Sequence, residues 1–120
     1  MSPAARSLRA FALYLLPLAA LLLVAPNVLL APVGLPPTSE VWIRLVGMLV
    51  STVAVFLWVG AGSEYLPFFR ATVMTRLAVP VFLLLFVLAG WVRWPILLFG
   101  VIDLAAALWT WSCLKRPLPA

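Results

Sequence analysis

The chain has 120 residues, of which 67% are hydrophobic and only 9% are charged. A soluble domain is typically about 45–50% apolar and about 25% charged, and a small domain leaves much of its surface exposed. The composition therefore excludes a water-soluble fold and predicts that lipid surrounds most of the chain. The net charge of +5 does not indicate nucleic-acid binding, because the basic residues stand singly or in pairs at the ends of apolar runs, where membrane proteins carry topology signals.

The rarity of reactive side chains restricts the chemistry. The sequence contains no histidine and one cysteine, Cys113. The chain therefore supplies no histidine ligand for haem, copper or zinc, no Ser-His or Cys-His dyad and no internal disulfide. We expect no catalytic residue, no metal site and no cofactor. Cys113 is interpreted as a small apolar residue near the membrane interface, with palmitoylation or a redox role as the alternatives.

Four apolar runs predict four membrane-spanning helices, because about 20 mainly apolar residues cross a bilayer. The predicted helices cover about residues 8–30, 41–60, 73–92 and 94–114. Their connections are short, and consecutive helices joined in this way are antiparallel neighbours. The chain, 1–120, is thus predicted to be one all-α integral membrane domain, an up-down-up-down four-helix bundle.

Three segments of the chain need a separate interpretation. The first apolar run has features of a signal peptide, but Ala25-Pro26-Asn27 is a poor cleavage site, so we expect a retained helix. Residues 25–39 contain four prolines and are predicted to form an irregular, stiff connection. Residues 61–76 mix apolar and charged side chains and are predicted to lie along the membrane surface.

The distribution of basic residues predicts the orientation. Two of them, Arg44 and Arg93, fall toward one side of the predicted bundle. Six fall toward the side of the chain ends: Arg6, Arg9, Arg70, Arg76, Lys115 and Arg116. The positive-inside rule then places both termini in the cytoplasm. Lys115 is the only lysine in a chain rich in Ala, Leu, Arg and Pro, a composition typical of a GC-rich bacterial source, and we expect the bacterial inner membrane.

Asp103 is the only acidic residue well inside an apolar run. A carboxylate in hydrocarbon costs several kcal/mol unless it is paired, hydrated or protonated. Gly100, Asp103, Ala107 and Thr110 follow at helical spacings of three and four, so they share one small, polar face. Small faces let membrane helices approach closely, which predicts that Asp103 points into the bundle and that Gly100 and Ala107 pack against another helix.

The second predicted helix offers a similar face, with Arg44, Gly47 and Ser51 at helical spacing. The predicted depths of Arg44 and Asp103 differ by roughly 8 Å, whereas Arg76 must cover roughly 11 Å. We therefore predict an Arg44–Asp103 clamp, with Gly47 as a packing residue. The candidate hydrogen-bond donors are Ser51, Thr52 and Thr110. Three interpretations stay open: a structural lock of helix register, a polar site for a small ligand, lipid headgroup or proton, or a protonated Asp103 that bonds within the bundle or to another subunit.

Several short motifs resemble a known group of proteins. They are Trp42-x-Arg44-x-x-Gly47, Pro67-Phe68, Arg76, Pro95-Ile96-Leu97-Leu98-Phe99-Gly100-x-x-Asp103 and Trp109-Thr110. Over roughly residues 41–114, this pattern resembles small four-helix bacterial membrane proteins of the DoxX-like and BphX-like kind. The resemblance implies a compact integral four-helix bundle, associated in some members with membrane redox or catabolic systems. It supplies no catalytic residues.

The expected function is that of a small non-catalytic membrane protein, either an accessory or structural subunit or an independent bundle. Its partners would be the lipid bilayer and other membrane subunits or copies of itself, with no nucleic acid. The alternative is a binder or carrier of a small apolar or amphiphilic molecule, such as a lipid or quinone, between the second and fourth helices. A membrane enzyme is disfavoured, because one buried acid without histidine leaves little for acid–base catalysis.

Overall fold

The computed structural model describes residues 1–115, and all regular structure in this range is helical. In chain order the elements are α1 (Pro3–Val24), α2 (Pro26–Leu30), α3 (Trp42–Gly62), α4 (Leu66–Leu88), a 3-10 turn (Trp94–Ile96) and α5 (Leu97–Lys115). Arg116, one of the predicted cytoplasmic residues, lies outside the described range. Within that range, α1, α3, α4 and α5 with its preceding turn are long and apolar enough to span a membrane, which confirms the prediction of four such helices.

α1 begins and ends earlier than predicted. The Ser2 hydroxyl accepts a hydrogen bond from the N–H of Ala5 at 3.1 Å, and Pro3 occupies the first turn, where a missing N–H is no loss. The helix stops at Ala25, because a residue before proline disfavours the helical conformation. Pro26 then opens α2, so the predicted helix 8–30 is two helices, and the connection predicted to be irregular starts with a helical segment.

The connection between α3 and α4 is a tight turn. Only residues 63–65 separate the two helices, and Pro67 stands in the first turn of α4. Glu64 adopts a left-handed backbone conformation with φ of 54°, and its carboxylate accepts a hydrogen bond from the N–H of Ser2 at 2.8 Å. The prediction of a separate surface segment over 61–76 is wrong, because residues from Leu66 onward belong to the continuous helix α4. Pro67 does not interrupt it, since a proline is compatible with the first turn of a helix.

A glycine just beyond α4 terminates the helix. Gly90 has φ of 78°, a conformation that glycine adopts without steric strain. The N–H of Gly90 donates to the carbonyl of Val87 and the N–H of Trp91 donates to that of Phe86, both at 3.0 Å. This pair of bonds is the Schellman pattern. It ends α4 at Leu88, so that the whole helix lies several residues earlier in the chain than the predicted 73–92.

α1 is the central helix of the bundle. It packs along α3 on one side and α5 on the other, while α4 packs along α5. Gly62 near the end of α3 approaches Arg9, and Gly47 near its start approaches Leu22 and Leu23, so α1 and α3 run antiparallel. α3 has no comparable packing against α4 or α5. The second and fourth predicted helices therefore do not meet face to face.

The hydrophobic core lies mainly around the first half of α1. Its largest members include Leu8, Phe11 and Phe69. The outward faces of the helices are apolar as well: Phe56 and Phe82, for example, are exposed over 64% and 58% of their surface. Apolar patches of this extent are unfavourable in water, and they are typical of helices that face lipid.

Candidate functional site

A buried group of polar side chains joins α1, α4 and α5. We call it the Arg76 cluster; it consists of Ser7, Thr72, Arg76 and Thr110, each no more than 7% exposed. Thr72 and Arg76 lie one turn apart on α4, and therefore on the same face of that helix. Ser7 on α1 and Thr110 on α5 reach the same place because both helices pack against this region.

The guanidinium of Arg76 donates to both threonines. Its Nε donates to the backbone carbonyl of Thr72 at 3.1 Å. Its Nη2 donates to Thr72 Oγ1 at 3.3 Å and to Thr110 Oγ1 at 3.0 Å. Hydrogen bonds from a charged donor are stronger than neutral ones, so Arg76 links α4 to α5 in a region without water-exposed partners.

The hydrogen bonds continue from Thr110 to α1. Thr110 Oγ1 and Ser7 Oγ are 2.6 Å apart, and the Ser7 hydroxyl donates to the carbonyl of Ala4 at 2.7 Å. Because a hydroxyl has one hydrogen, Thr110 must be the donor to Ser7. Arg76, Thr110, Ser7 and Ala4 thus form a chain of hydrogen bonds that all point in one direction, an arrangement in which each bond polarises the next.

Within residues 1–115, one nitrogen of Arg76 has no hydrogen-bond partner. This atom, Nη1, is buried, as is the residue as a whole, which is only 4% exposed. The ring of Phe11 lies 5.1 Å from the guanidinium carbon and compensates part of the charge by a cation–π interaction. A buried donor without an acceptor is unfavourable by about 1–3 kcal/mol, and by more for a charged group. The structure therefore offers an unused donor at the centre of the bundle.

A cavity of about 370 Å³ lies beside the Arg76 cluster, and we call it the central cavity. All four long helices contribute to its wall. The residues are Phe11 and Leu15 from α1, Val53 and Leu57 from α3, Thr72, Thr75, Arg76 and Val79 from α4, and Asp103 from α5. The wall thus combines one guanidinium, one carboxylate and two hydroxyls with a mostly apolar surface, which is typical of small-molecule sites.

Asp103 lies on this wall, half-buried, and within the described residues it forms no direct ion pair with Arg76. The two residues nevertheless lie at similar positions along the long axis of the bundle. Arg76 lies about 15 Å along α4 from Leu66, and Asp103 about 18 Å back from Lys115 along the antiparallel α5. The larger separation expected from the sequence came from starting the third helix at Val73 instead of Leu66. Arg76, and not Arg44, is therefore the guanidinium that shares a site with Asp103.

Arg44 has a different role. Its Nη1 donates to the carbonyl of Leu23, one of the last residues of α1. The last carbonyls of a helix lack intrahelical donors and carry partial negative charge, so a cation there is favourable. Arg44 thus caps α1 from the neighbouring α3, and the predicted Arg44–Asp103 clamp is wrong because α3 packs on α1 and not on α5.

The other predicted residues of the second helix also lie away from Asp103. The Ser51 hydroxyl donates to the carbonyl of Met48 in its own helix at 2.6 Å. Gly47 is a packing residue, but its partner is α1: a Cβ at this position would lie 2.9 Å from the Cβ of Leu22. Neither residue lines the central cavity.

The predicted small face of α5 is the face that the fold buries. Gly100, Ala107 and Thr110 are the buried residues of this helix. A Cβ at Gly100 would lie 3.1 Å from Cα of Pro80, so α5 approaches the backbone of α4 here. Pro80 also lacks an N–H, which leaves the carbonyl of Arg76 without its usual intrahelical donor.

Ser7 and Thr72 were not predicted as site residues, and Arg76 was considered only as a second partner for Asp103. A signal for the pair on α4 existed, because Thr72 and Arg76 are four residues apart and share a helix face. Ser7 gave no such signal, since only the packing of α1 against α5 shows which face of α1 is buried. Within residues 1–115, no three His, Cys, Asp or Glu side chains come close enough together to hold a metal ion.

Comparison of the chain with protein-family models, with curated proteins and with solved structures finds no match.

Proposed function

We propose that this chain is a multi-pass protein of the bacterial cytoplasmic membrane, with its four long helices crossing the bilayer in up-down-up-down order. The apolar character of the helices and their antiparallel packing support the proposal. The end of the bundle where α1 begins is the more basic. It carries Arg6, Arg9, Arg70 and Lys115 with Glu64, whereas the opposite end carries Arg44 and Arg93 with Glu40. The positive-inside rule then favours cytoplasmic termini.

The proposed activity is the non-catalytic binding of a small amphiphilic molecule, such as a lipid or quinone, in the central cavity. The observation that carries this proposal is that Arg76, whose Nη1 has no partner within residues 1–115, lines this cavity. Most buried donors in proteins are paired, so an unpaired one favours a bound acceptor over a purely structural lock. A small rotation of the guanidinium would turn the enclosed Nη1 toward the cavity, where a carbonyl, carboxylate or phenolic oxygen of a ligand would supply the missing acceptor. Asp103 would accept a hydrogen bond from a hydroxyl of the same molecule.

The rest of the cavity fits the apolar part of such a molecule. Phe11, Leu57 and Val79 offer apolar surface around the polar groups. α3 and α4 meet at their turn, where a Cβ on Gly60 would clash with the ring of Phe68, but beyond the turn they pack little against each other. The space between them gives a lipid-soluble molecule a side entrance from the bilayer.

Photolabelling in nanodiscs tests this proposal. The probes are a diazirine-bearing fatty acid and an azido-quinone, and labelled peptides are mapped by mass spectrometry. We expect saturable labelling of α3 and α4 by at least one probe, reduced strongly by Val79→Phe, which fills the cavity. Val81→Phe is the matched control, because Val81 is 58% exposed on the outer face of α4. Unchanged labelling in a stably folded Val79→Phe variant overturns the proposal.

Substitution of Arg76 tests the polar contact separately. Arg76→Lys keeps the positive charge but cannot reproduce the fork of guanidinium donors. We expect it to weaken saturable labelling while the protein still folds, because Thr72 and Thr110 remain as acceptors. Full labelling of Arg76→Lys would show that the ligand is held by the apolar walls alone.

An accessory role in a larger membrane assembly is the second candidate. It is favoured by the same opening between α3 and α4, where exposed apolar side chains such as Val53 and Phe56 could receive a helix of another chain. Mild solubilisation and affinity purification of the protein from its native membrane distinguish the two. A stoichiometric membrane partner that protects α3 and α4 from photolabelling supports the accessory role, whereas labelling of the isolated chain supports ligand binding.

A further inference from the structure

A second cavity, separate from the central one, lies at the more basic end of the bundle. It has a volume of about 410 Å³ and runs between α4 and α5; we call it the basic groove. Arg70 on α4 and Lys115 on α5 stand at its sides, and Val73, Leu77 and Leu114 contribute apolar surface. The two helices approach closely at Gly100, which lies toward the opposite end of α5 from the groove.

The charges of this groove are exposed, and no carboxylate within residues 1–115 neutralises them. Arg70 and Lys115 are both exposed, and within residues 1–115 neither forms an ion pair with a carboxylate. Glu64, the acid nearest to Arg70 in the sequence, accepts a hydrogen bond from the N–H of Ser2. Lys115 Nζ lies 4.0 Å from the ring of Trp111, a cation–π contact that holds the ammonium at the groove. As far as the described residues go, two cations are therefore available to receive one anion.

The apolar part of the groove distinguishes a lipid from a free anion. From Arg70 to Leu77 the groove follows α4 for about 10 Å, toward the middle of the proposed membrane. An inorganic anion would use only the two cations and leave this surface uncovered. A phospholipid would place its phosphate between the cations and one acyl chain along Val73 and Leu77. Trp111, with its amphipathic ring, would lie at the depth that tryptophan prefers in membranes.

We propose that the basic groove binds one anionic phospholipid, through its headgroup phosphate at Arg70 and Lys115 and an acyl chain along α4. Basic pockets between membrane helices are suited to anionic headgroups. A zwitterionic lipid gains less, because its own cationic group competes for the phosphate. The site is independent of the central cavity, since no residue lines both.

Native mass spectrometry of the purified full chain tests the proposal. The protein is equilibrated with phosphatidylglycerol and phosphatidylcholine of identical acyl chains. Each basic residue near a membrane surface strengthens anionic-lipid binding by roughly fivefold. We therefore expect a clear preference for phosphatidylglycerol, lowered roughly fivefold by Arg70→Gln or Lys115→Gln and nearly abolished by both together. Circular dichroism confirms the fold of each variant.

Three further measurements test whether the lipid is held by the charge and the shape of the basic groove. Arg93→Gln removes an exposed cation at the opposite end and should leave the preference unchanged. Met74→Trp narrows the groove without changing its charge and should weaken lipid retention. Inorganic phosphate should not displace the lipid. Equal retention of both lipids, an effect of Arg93→Gln as large as that of Arg70→Gln, or displacement by phosphate alone would each overturn the proposal.

Discussion

Replacing Thr110 by valine removes one hydroxyl from the centre of the Arg76 cluster and keeps the branched shape of the side chain. That hydroxyl accepts a hydrogen bond from Arg76 Nη2 at 3.0 Å and donates one to Ser7 Oγ at 2.6 Å. It therefore joins α5 to both α4 and α1. Thr110 has no exposed surface, so water cannot replace the lost partner without a rearrangement.

The expected loss of stability follows from these two bonds. In soluble proteins a hydrogen bond to a charged group contributes about 1.5–3 kcal/mol and a neutral one about 1 kcal/mol. Bonds between membrane helices average only about 0.6 kcal/mol, because the unfolded chain in the membrane also finds partners. Arg76 Nη2 keeps Thr72 Oγ1 and the Ser7 hydroxyl keeps the carbonyl of Ala4. We therefore expect Thr110→Val to lower the free energy of unfolding by about 1–2 kcal/mol.

Reversible unfolding in mixed micelles, followed by circular dichroism, measures this change. Thr52→Val is the matched control, because the Thr52 hydroxyl is exposed and donates to Met48 in its own helix at 3.0 Å. Its effect should stay within about 0.5 kcal/mol. Ser7→Ala combined with Thr110→Val should be less destabilising than the sum of the single variants. Equal effects of the two threonine variants, or strict additivity in the cycle, would refute the network.

Three further predictions concern packing, capping and pH. Gly100→Ala places a Cβ 3.1 Å from the backbone of α4, so thermal stability should fall in the order Gly, Ala, Leu, with a loss of about 1–3 kcal/mol for leucine; equal melting temperatures would contradict the close approach. Arg44→Met should lower the free energy of unfolding by about 0.3–1 kcal/mol, because the C-terminal end of α1 loses its cap. In a double-mutant cycle its effect should add to that of Asp103→Asn, whereas strong coupling would support the predicted Arg44–Asp103 clamp. The hydrogen bond from the backbone N–H of Ser2 lowers the pKa of the Glu64 carboxyl below its usual 4.5. The stabilisation of the fold by this hydrogen bond is therefore present above the unfolded-state pKa and disappears as the pH falls through the folded-state pKa. The small difference in unfolding free energy between wild type and Glu64→Gln should therefore persist at neutral pH and vanish only in acid; a difference that vanishes at neutral pH contradicts this.

The number and type of the helices could be predicted from the sequence, but the helix boundaries could not. Apolar runs define the four long helices, because a bilayer requires about 20 apolar residues in each. The ends of α4 are decided by local backbone chemistry instead, by Pro67 at its start and Gly90 after its end. Interpreting residues 61–76 as a surface segment shifted the predicted span toward the C-terminus.

The same shift explains why Arg44, and not Arg76, was predicted to lie beside Asp103. The small face of α5 could be read from the spacing of Gly100, Ala107 and Thr110. The choice between Arg44 and Arg76 depended on depth, and depth depends on where each helix begins. It depended also on which helices are neighbours, and helical spacing alone cannot decide this because apolar helices have many equivalent partners.

The sequence by itself determined that this chain is a set of four membrane-length helices with one acidic residue on a small face, because composition and helical periodicity are local properties. The tertiary structure alone decided that α1 separates α3 from α5, and hence that Arg44 caps a helix end while Arg76 reaches Thr110. It also decided that Asp103 and Arg76 line the same cavity and that, within residues 1–115, one nitrogen of Arg76 has no partner. These features depend on contacts between residues far apart in the chain, which only the packing of the helices brings together.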